Sequence, residues 1–237
     1  MTPEPIPVQA VSAIECRSCG AGAPVDEHFC PQCSRILALG RHGDYFTFLG
    51  LPRKLTIAAA DLERRFRELS RQFHPDFYYN ASQTERLASL ERSSYLNDAY
   101  RALGNPVSRA EHLLAIEGVT SPPGTEPGAA QVPPALLEEV FALNEELDEI
   151  REQREAGRDV AALRARLETA RRPIELKREE HVRSLESLGE RWDLALDEGD
   201  AGEKRAVLEA LRDRLLERNY ITNLLATIER EMAGLGA

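Results

Sequence analysis

Apolar residues recur at helical spacing over most of this chain and fall into blocks that set its organisation. Leu62, Phe66, Leu69 and Phe73 follow at intervals of four, three and four, which predicts an amphipathic helix from Ala58 to Phe73 with Arg64, Arg67 and Arg71 on its opposite side. A second block, from about Ser82 to Leu103, places Leu87, Leu90, Leu96, Ala99, Tyr100 and Leu103 on a partner helix that Gly104-Asn105-Pro106 stops. The two make an antiparallel hairpin, and the aromatic segment Asp44 to Pro52 is placed to cover its open side. Periodicity resumes at Pro134, at the first turn of a helix to about Gln153. It continues from Val160 to Leu188, weakens from Trp192 to Asp200, and ends in a helix from about Glu203 to Met232. Leu208, Leu211, Leu215, Tyr220, Leu224, Leu225 and Ile228 are the apolar positions of that last helix, so three antiparallel helices bury their stripes against one another. The expected class is all-α, with a helical hairpin, a C-terminal three-helix bundle and a small cysteine module in front. The turn-rich run Val119 to Gly128 divides the chain, giving expected domains of 1–42, 43–118 and 134–235 with a linker at 119–133.

The first helix of the bundle carries more apolar surface than a simple core uses. Leu136, Val140, Leu143, Leu147 and Ile150 form one stripe, whereas Leu137 and Phe141 lie roughly 100–140° away at 100° per residue. Glu145 and Glu149 continue that outlying face, which reads as a protein-binding surface with an apolar start and an acidic end. Tyr220 is expected to meet it once the bundle closes.

Composition narrows the function. A chain of 237 residues with 42% hydrophobic content supports packed cores, and no run approaches the apolar length of a membrane span. Met1 to Ala13 is proline-rich, lacks Arg and Lys and has no signal-peptide core, so a cytoplasmic location without membrane attachment is the expectation. The net charge of −10 sits mainly in residues 119–237, where 17 basic face 26 acidic side chains; residues 44–118 carry ten of each. With only Arg17, Arg35 and Arg41 before position 44, the chain has no basic patch to neutralise phosphates, which argues against a nucleic-acid partner.

All four cysteines lie in Cys16-Arg17-Ser18-Cys19 and Cys30-Pro31-Gln32-Cys33, two C-x-x-C pairs ten residues apart. Zinc needs four soft donors at tetrahedral angles, and two facing knuckles supply four thiolates, so one structural Zn2+ per chain is the expected cofactor; an iron site is the alternative. Two disulfides or a thioredoxin-like redox pair fit less well in an intracellular chain without a following βαβ pattern. His28 reads as a solvent-facing neighbour rather than a ligand. The module reads as a small folded cap, a mount for another protein, or a dimerisation surface, so a homodimer stays among the expectations.

His74-Pro75-Asp76 falls between the hairpin helices. Pro75 biases His74 away from helical backbone, so the first helix ends near Phe73 and the tip presents an imidazole and a carboxylate. Arg71 lies three residues away, so the basic row and the tip form one surface for an acidic partner. An acid/base pair is the enzyme reading of His74 and Asp76, but no pocket, nucleophile or cofactor loop accompanies them, and the chain reads as a non-enzyme.

The hairpin, its aromatic cover and the tripeptide together resemble the J domain of co-chaperones that activate ATP-dependent heat-shock chaperones. The resemblance implies that His74, Pro75, Asp76, Arg64, Arg67 and Arg71 contact the chaperone. Asp44-Tyr45-Phe46-Thr47-Phe48-Leu49-Gly50, Arg109-Ala110-Glu111-His112-Leu113-Leu114 and Asn144-Glu145-Glu146-Leu147-Asp148-Glu149-Ile150 narrow it: over about 43–235 the chain is similar to the HscB family of iron–sulfur cluster assembly. That family implies an HscA-like chaperone and an IscU-like scaffold protein as partners. Its scaffold-binding surface maps onto Leu137, Glu138, Phe141, Ala142, Glu145, Glu149 and Tyr220. Glu138 stands where a methionine is usual and Ala142 where a glutamate is usual, while Phe77 and the cysteine module resemble the organellar branch. A J protein with a different client is the main alternative.

Overall fold

Asp44 turns its carboxylate back onto the amides of Phe46 and Thr47 and so starts the short helix α1, Tyr45–Leu49, which Gly50 ends in the left-handed region at φ 63°. In this computed structural model, which describes residues 13–40, 43–119 and 136–235, the chain divides into two compact units, Met1–Ile116 and Glu117–Ala237. Within the first unit, Phe46, Phe48 and Leu49 of α1 are buried against α2, Ala59–Phe73, and α3, Gln83–Gly104. Leu62, Leu69 and Phe73 line the buried side of α2, and the half-buried Phe66 packs its ring on Tyr100 at 4.3 Å. A single 3-10 turn, Pro75–Tyr78, joins the two helices. Ser82 and Glu85 close a capping box at the start of α3, each satisfying a backbone amide of the other.

Two expectations for this unit are corrected. Leu87 and Leu90 do not face the partner helix; both are exposed, at 49% and 53%. The inward stripe of α3 is instead Glu85, Ser89, Arg92, Leu96, Ala99 and Leu103, which fall within about 80° of arc at 100° per residue, with Leu87 and Leu90 on the far side. Gly104-Asn105-Pro106 ends α3 but does not end helical structure. A further helix, α4, spans Pro106–Ile116, with Pro106 in its first turn and the Asn105 side chain accepting the Val107 and Ser108 amides. Leu113 and Leu114 are buried on it, and the Arg109 guanidinium is spent on the carbonyls of Leu55 and Leu103.

The cysteine module precedes α1. A two-stranded antiparallel hairpin, β1 Ala13–Glu15 and β2 Gly22–Pro24, sets Ile14 opposite Ala23, and a second bridge pairs Phe29 with Ile36. Among the described residues its own core is Cys16, Ala23, Cys30 and Leu37, with Ile14, Ala21 and Cys33 packed against it. Ile36 is buried in the core of the helical hairpin, with Phe29 and Leu39 packed beside it, so the module is seated on the hairpin.

The second unit is the three-helix bundle of α5, Leu137–Glu155, α6, Val160–Glu198, and α7, Ala201–Gly234. Leu143, Leu147 and Ile150 of α5 meet Leu163, Leu167 and Ile174 of α6 and Ile221, Leu225 and Ile228 of α7 in one core. The weakening of the pattern after Leu188 does not interrupt the helix. Leu188, Trp192 and Ala195 keep the stripe buried to the end of α6, and Gly199, at φ 74°, with the capping Asp200 makes the turn into α7. The linker at 120–133 and Pro134 lie outside the described residues. Among the described residues no helix is long and apolar enough to cross a membrane.

Candidate functional site

The tripeptide is held at the end of α2 by contacts on both sides. His74 leaves the helix at ψ 125°, as a residue before proline must, and its Nδ1 accepts the Asp76 amide at 3.3 Å. Nδ1 is therefore the acceptor of this bond. Asp76 is exposed, with a carboxylate oxygen 3.5 Å from the same Nδ1. The last carbonyl of α2, on Phe73, accepts from Ser89 at 2.6 Å and Ser93 at 2.9 Å, which ties the base of the tip to α3. The Tyr78 hydroxyl reaches back to the Gln72 carbonyl. These contacts position an exposed imidazole and carboxylate together, flanked by the exposed rings of Phe77 and Tyr79.

The arginine row beside the tip is exposed but not uniformly basic. Arg64 pairs with Asp61 at 2.7 Å and Arg67 with Glu63 at 2.5 Å, one turn back on the same helix. Arg71, adjacent to the tip, is exposed and makes no ion pair among the described residues.

In the cysteine module the four Sγ atoms of Cys16, Cys19, Cys30 and Cys33 lie within 4.8 Å of one another, and none is joined in a disulfide. Each knuckle closes the same way. The Gly20 amide bonds to the Cys16 carbonyl and the Ser34 amide to the Cys30 carbonyl, with Gly20 at φ 76° and Ser34 at φ 57°. Backbone amides act on sulfur as well: those of Ser18 and Cys19 lower the Cys16 thiol, whereas for Cys19 and Cys33 the amides of Ala21 and Arg35 are outweighed by burial and contact with neighbouring thiols, which raise them, so the four close sulfurs share their charge unequally. Four converging sulfurs with amide donors behind them fit a tetrahedral metal ion.

His28 is not solvent-facing. Its Nε2 donates to the Phe48 carbonyl at 3.0 Å, its Nδ1 accepts from Arg92 at 2.7 Å, and its ring meets Phe48 and Phe73 edge-on. A guanidinium only donates and a carbonyl only accepts, so the ring is the neutral Nε2–H tautomer. Arg92 is fully buried, and loss of water pushes its guanidinium down to about 10. Sequence reasoning missed Arg92, Ser89 and Glu85. Their signal was position, since all three share the helical arc of Leu96, Ala99 and Leu103.

On α5 the face opposite the core carries Leu137, Glu138, Phe141, Ala142, Glu145 and Glu149, all exposed, with Phe141 at 69%. Glu149 is drawn to Arg166 of α6 at 2.7 Å, and the same guanidinium clasps Glu146 with both nitrogens, so Glu149 is less free than its position suggests. Tyr220, on α7, is half-buried against the bundle core. A groove of about 460 Å³ between α5 and α6 is lined by Glu139, Ala142, Leu143, Arg166, Pro173 and Ile174 and adjoins the Ala142 edge of the face.

Comparison with known proteins gives a consistent neighbourhood, although no family model matches the chain. The co-chaperone protein HscB of Proteus mirabilis (strain HI4320) is 35% identical over 154 residues, which cover 65% of this chain and 84% of that protein. The crystal structure of human co-chaperone protein HscB aligns with a TM-score of 0.62 at 26% identity, covering 92% of this chain and 98% of the human one. Chaperone HscB from Vibrio cholerae aligns with a TM-score of 0.52 at 25% identity, over 81% and 99% of the two chains.

Proposed function

Because the chain belongs to the HscB family of co-chaperones, we propose that it acts in iron–sulfur cluster assembly by binding a scaffold protein, bringing it to an ATP-dependent heat-shock-class chaperone and stimulating that chaperone's ATPase. The observation that carries the reading is the tip: an exposed His74 and Asp76, fixed by Pro75 and by the Phe73 carbonyl bonds, beside Arg71 at the end of an exposed basic helix. Such a group is built to be touched rather than to enclose a substrate. His74 and Asp76 serve as polar contacts to the chaperone, with Arg64, Arg67 and Arg71 supplying attraction to an acidic surface. Docking at this tip shifts the chaperone toward its hydrolysing state by binding that state more tightly.

The exposed α5 face, Leu137, Glu138, Phe141, Ala142, Glu145 and Glu149, with Tyr220 of α7, is assigned to the scaffold. Holding the client on the same chain as the tip raises its effective concentration at the chaperone. Cys16, Cys19, Cys30 and Cys33 are assigned to one structural zinc ion, and the chain contributes binding rather than bond chemistry, in a bacterial cytoplasm. The deciding experiment is steady-state ATPase stimulation with purified chaperone and scaffold. His74→Gln is expected to keep wild-type helicity and scaffold binding while stimulation falls to the chaperone's basal rate, because an exposed contact is lost and no core is damaged. Undiminished stimulation by the folded variant removes the tip assignment.

A further inference from the structure

Arg92 is a fully buried cation on α3, and its hydrogen bonds run out of the helical hairpin altogether. Its Nε donates to the Leu37 carbonyl at 2.7 Å, one terminal nitrogen to His28 Nδ1 at 2.7 Å, and the other to the carbonyls of Ala38 at 3.2 Å and Glu27 at 3.3 Å. Those acceptors are all in the cysteine module, on the two segments that flank the second knuckle and are tied together by the Leu37 amide bond to the His28 carbonyl. The guanidinium also lies 5.7 Å from the centre of the Phe73 ring, the last residue before His74, on which the His28 and Phe29 rings pack as well. A second tie runs nearby: Arg35 of the module pairs at 2.9 Å with Glu85, the residue that closes the capping box at the start of α3. The wall behind the tip is thus built by the module, with the buried Arg92 as its inner fastening and the Arg35–Glu85 pair as an outer one.

We propose that Arg92 is a positioning residue through which the metal held by Cys16, Cys19, Cys30 and Cys33 sets the order of the His74 tip. Among the described residues the module's own core is four buried residues with Ile14, Ala21 and Cys33 packed against them, too small to hold its shape without the metal. When the ion leaves, the carbonyls that satisfy Arg92 disperse. A buried guanidinium without acceptors then moves out to water, since burying an unpaired charge is far costlier than exposing it. Phe73 loses its cationic and aromatic neighbours on that side, and the turn carrying His74 and Asp76 frays. The functional consequence rests on the tip being the chaperone contact; the structural coupling does not.

The test uses the full chain, zinc-loaded and after zinc removal with a chelator, with backbone amide exchange at Phe73–Tyr79 as the readout. Chelation is expected to raise exchange there about tenfold or more while α5 to α7 are unchanged, and added Zn2+ to restore protection. Arg92→Met is expected to keep one zinc per chain by elemental analysis, yet to exchange at the tip like the chelated wild-type protein, with little further change on chelation. Tip protection that survives zinc removal, or a zinc-loaded Arg92→Met with wild-type protection, overturns the proposal. Should Arg92→Met lose helicity, Cys30→Ser with Arg92 intact decides: metal loss with raised tip exchange supports the coupling, and metal loss without it refutes it. Failure of the chaperone reading shows separately, as no ATPase stimulation by zinc-loaded wild-type protein.

Discussion

At the scale of single residues, His112 links a helix start to solution pH. The Tyr45 amide, one of the donors that α1 leaves unpaired, bonds to His112 Nε2 at 2.9 Å, and the two rings stack at 4.3 Å. Nε2 accepts, so the folded state holds the neutral ring, and burial pushes its pKa below the ordinary value. The unfolded chain therefore takes the proton first, at about pH 6.5, and stability is lost as pH falls from there until the folded ring titrates too. Asp44 acts at lower pH. Burial alone raises its carboxyl, but hydrogen bonds from Thr47 and Arg53 outweigh that and hold it below the usual carboxylate range. Its contribution is complete above about pH 4 and is lost as pH falls through the folded value. As pH falls from about 7.5 to about 5.5, amide exchange at Tyr45–Leu49, taken relative to the intrinsic rate at each pH, is expected to rise. His112→Gln keeps an acceptor for the Tyr45 amide and removes the titration, so it should flatten that rise; an equal rise in the variant assigns it to another group. The sequence placed His112 within a family-like run but not in this role, because a ring's partner 67 residues away leaves no local trace.

At the scale of elements, legibility depended on whether polar residues could be told apart by face. The stripe of α2 was readable because Leu62, Phe66, Leu69 and Phe73 are all apolar, whereas α3 hides Glu85, Ser89 and Arg92 among its inward positions and shows Leu87 and Leu90 outside. Counting apolar residues put Leu96, Ala99, Tyr100 and Leu103 on the core correctly but added Leu87 and Leu90 from the wrong side, and the helical arc through Leu96, Ala99 and Leu103 separates the two groups. Glycine and proline marked boundaries correctly but did not reveal the element beyond them: Pro106 begins α4. The polar stripe also makes a measurable contribution. Ser89→Ala leaves the Phe73 carbonyl one donor, from Ser93, and is expected to cost about 1 kcal/mol; Ser89→Ala with Ser93→Ala strips both and should cost about 2–3 kcal/mol. Urea unfolding of the first unit reads this. A double variant no less stable than the single one shows that another donor, or water, serves the carbonyl.

At the scale of the whole chain, the pattern separated a hairpin region from a bundle, but it treated the cysteine module as self-sufficient, because spacing reports metal ligands and is silent about Ile36, Phe29 and Arg92 as packing contacts. The α5 face was legible for the opposite reason: Leu137 and Phe141 exceed what one buried stripe needs, and both are exposed. Because the core runs through Leu143, Leu147 and Ile150, truncating the outer pair leaves the bundle intact. Leu137→Ala combined with Phe141→Ala is thus expected to keep wild-type helicity and tip activity, and to lose scaffold affinity by about 2–4 kcal/mol, since apolar anchors dominate interfaces. Glu145→Lys should mainly slow association, with a salt dependence the double variant lacks. Titration calorimetry against a folded iron–sulfur scaffold reads both. Equal binding by wild type and double variant moves the contact off this face, toward the groove between α5 and α6 that Ala142, Arg166 and Pro173 line. Absence of binding by the wild-type protein assigns this bundle, with its Glu138 and Ala142, to a different client.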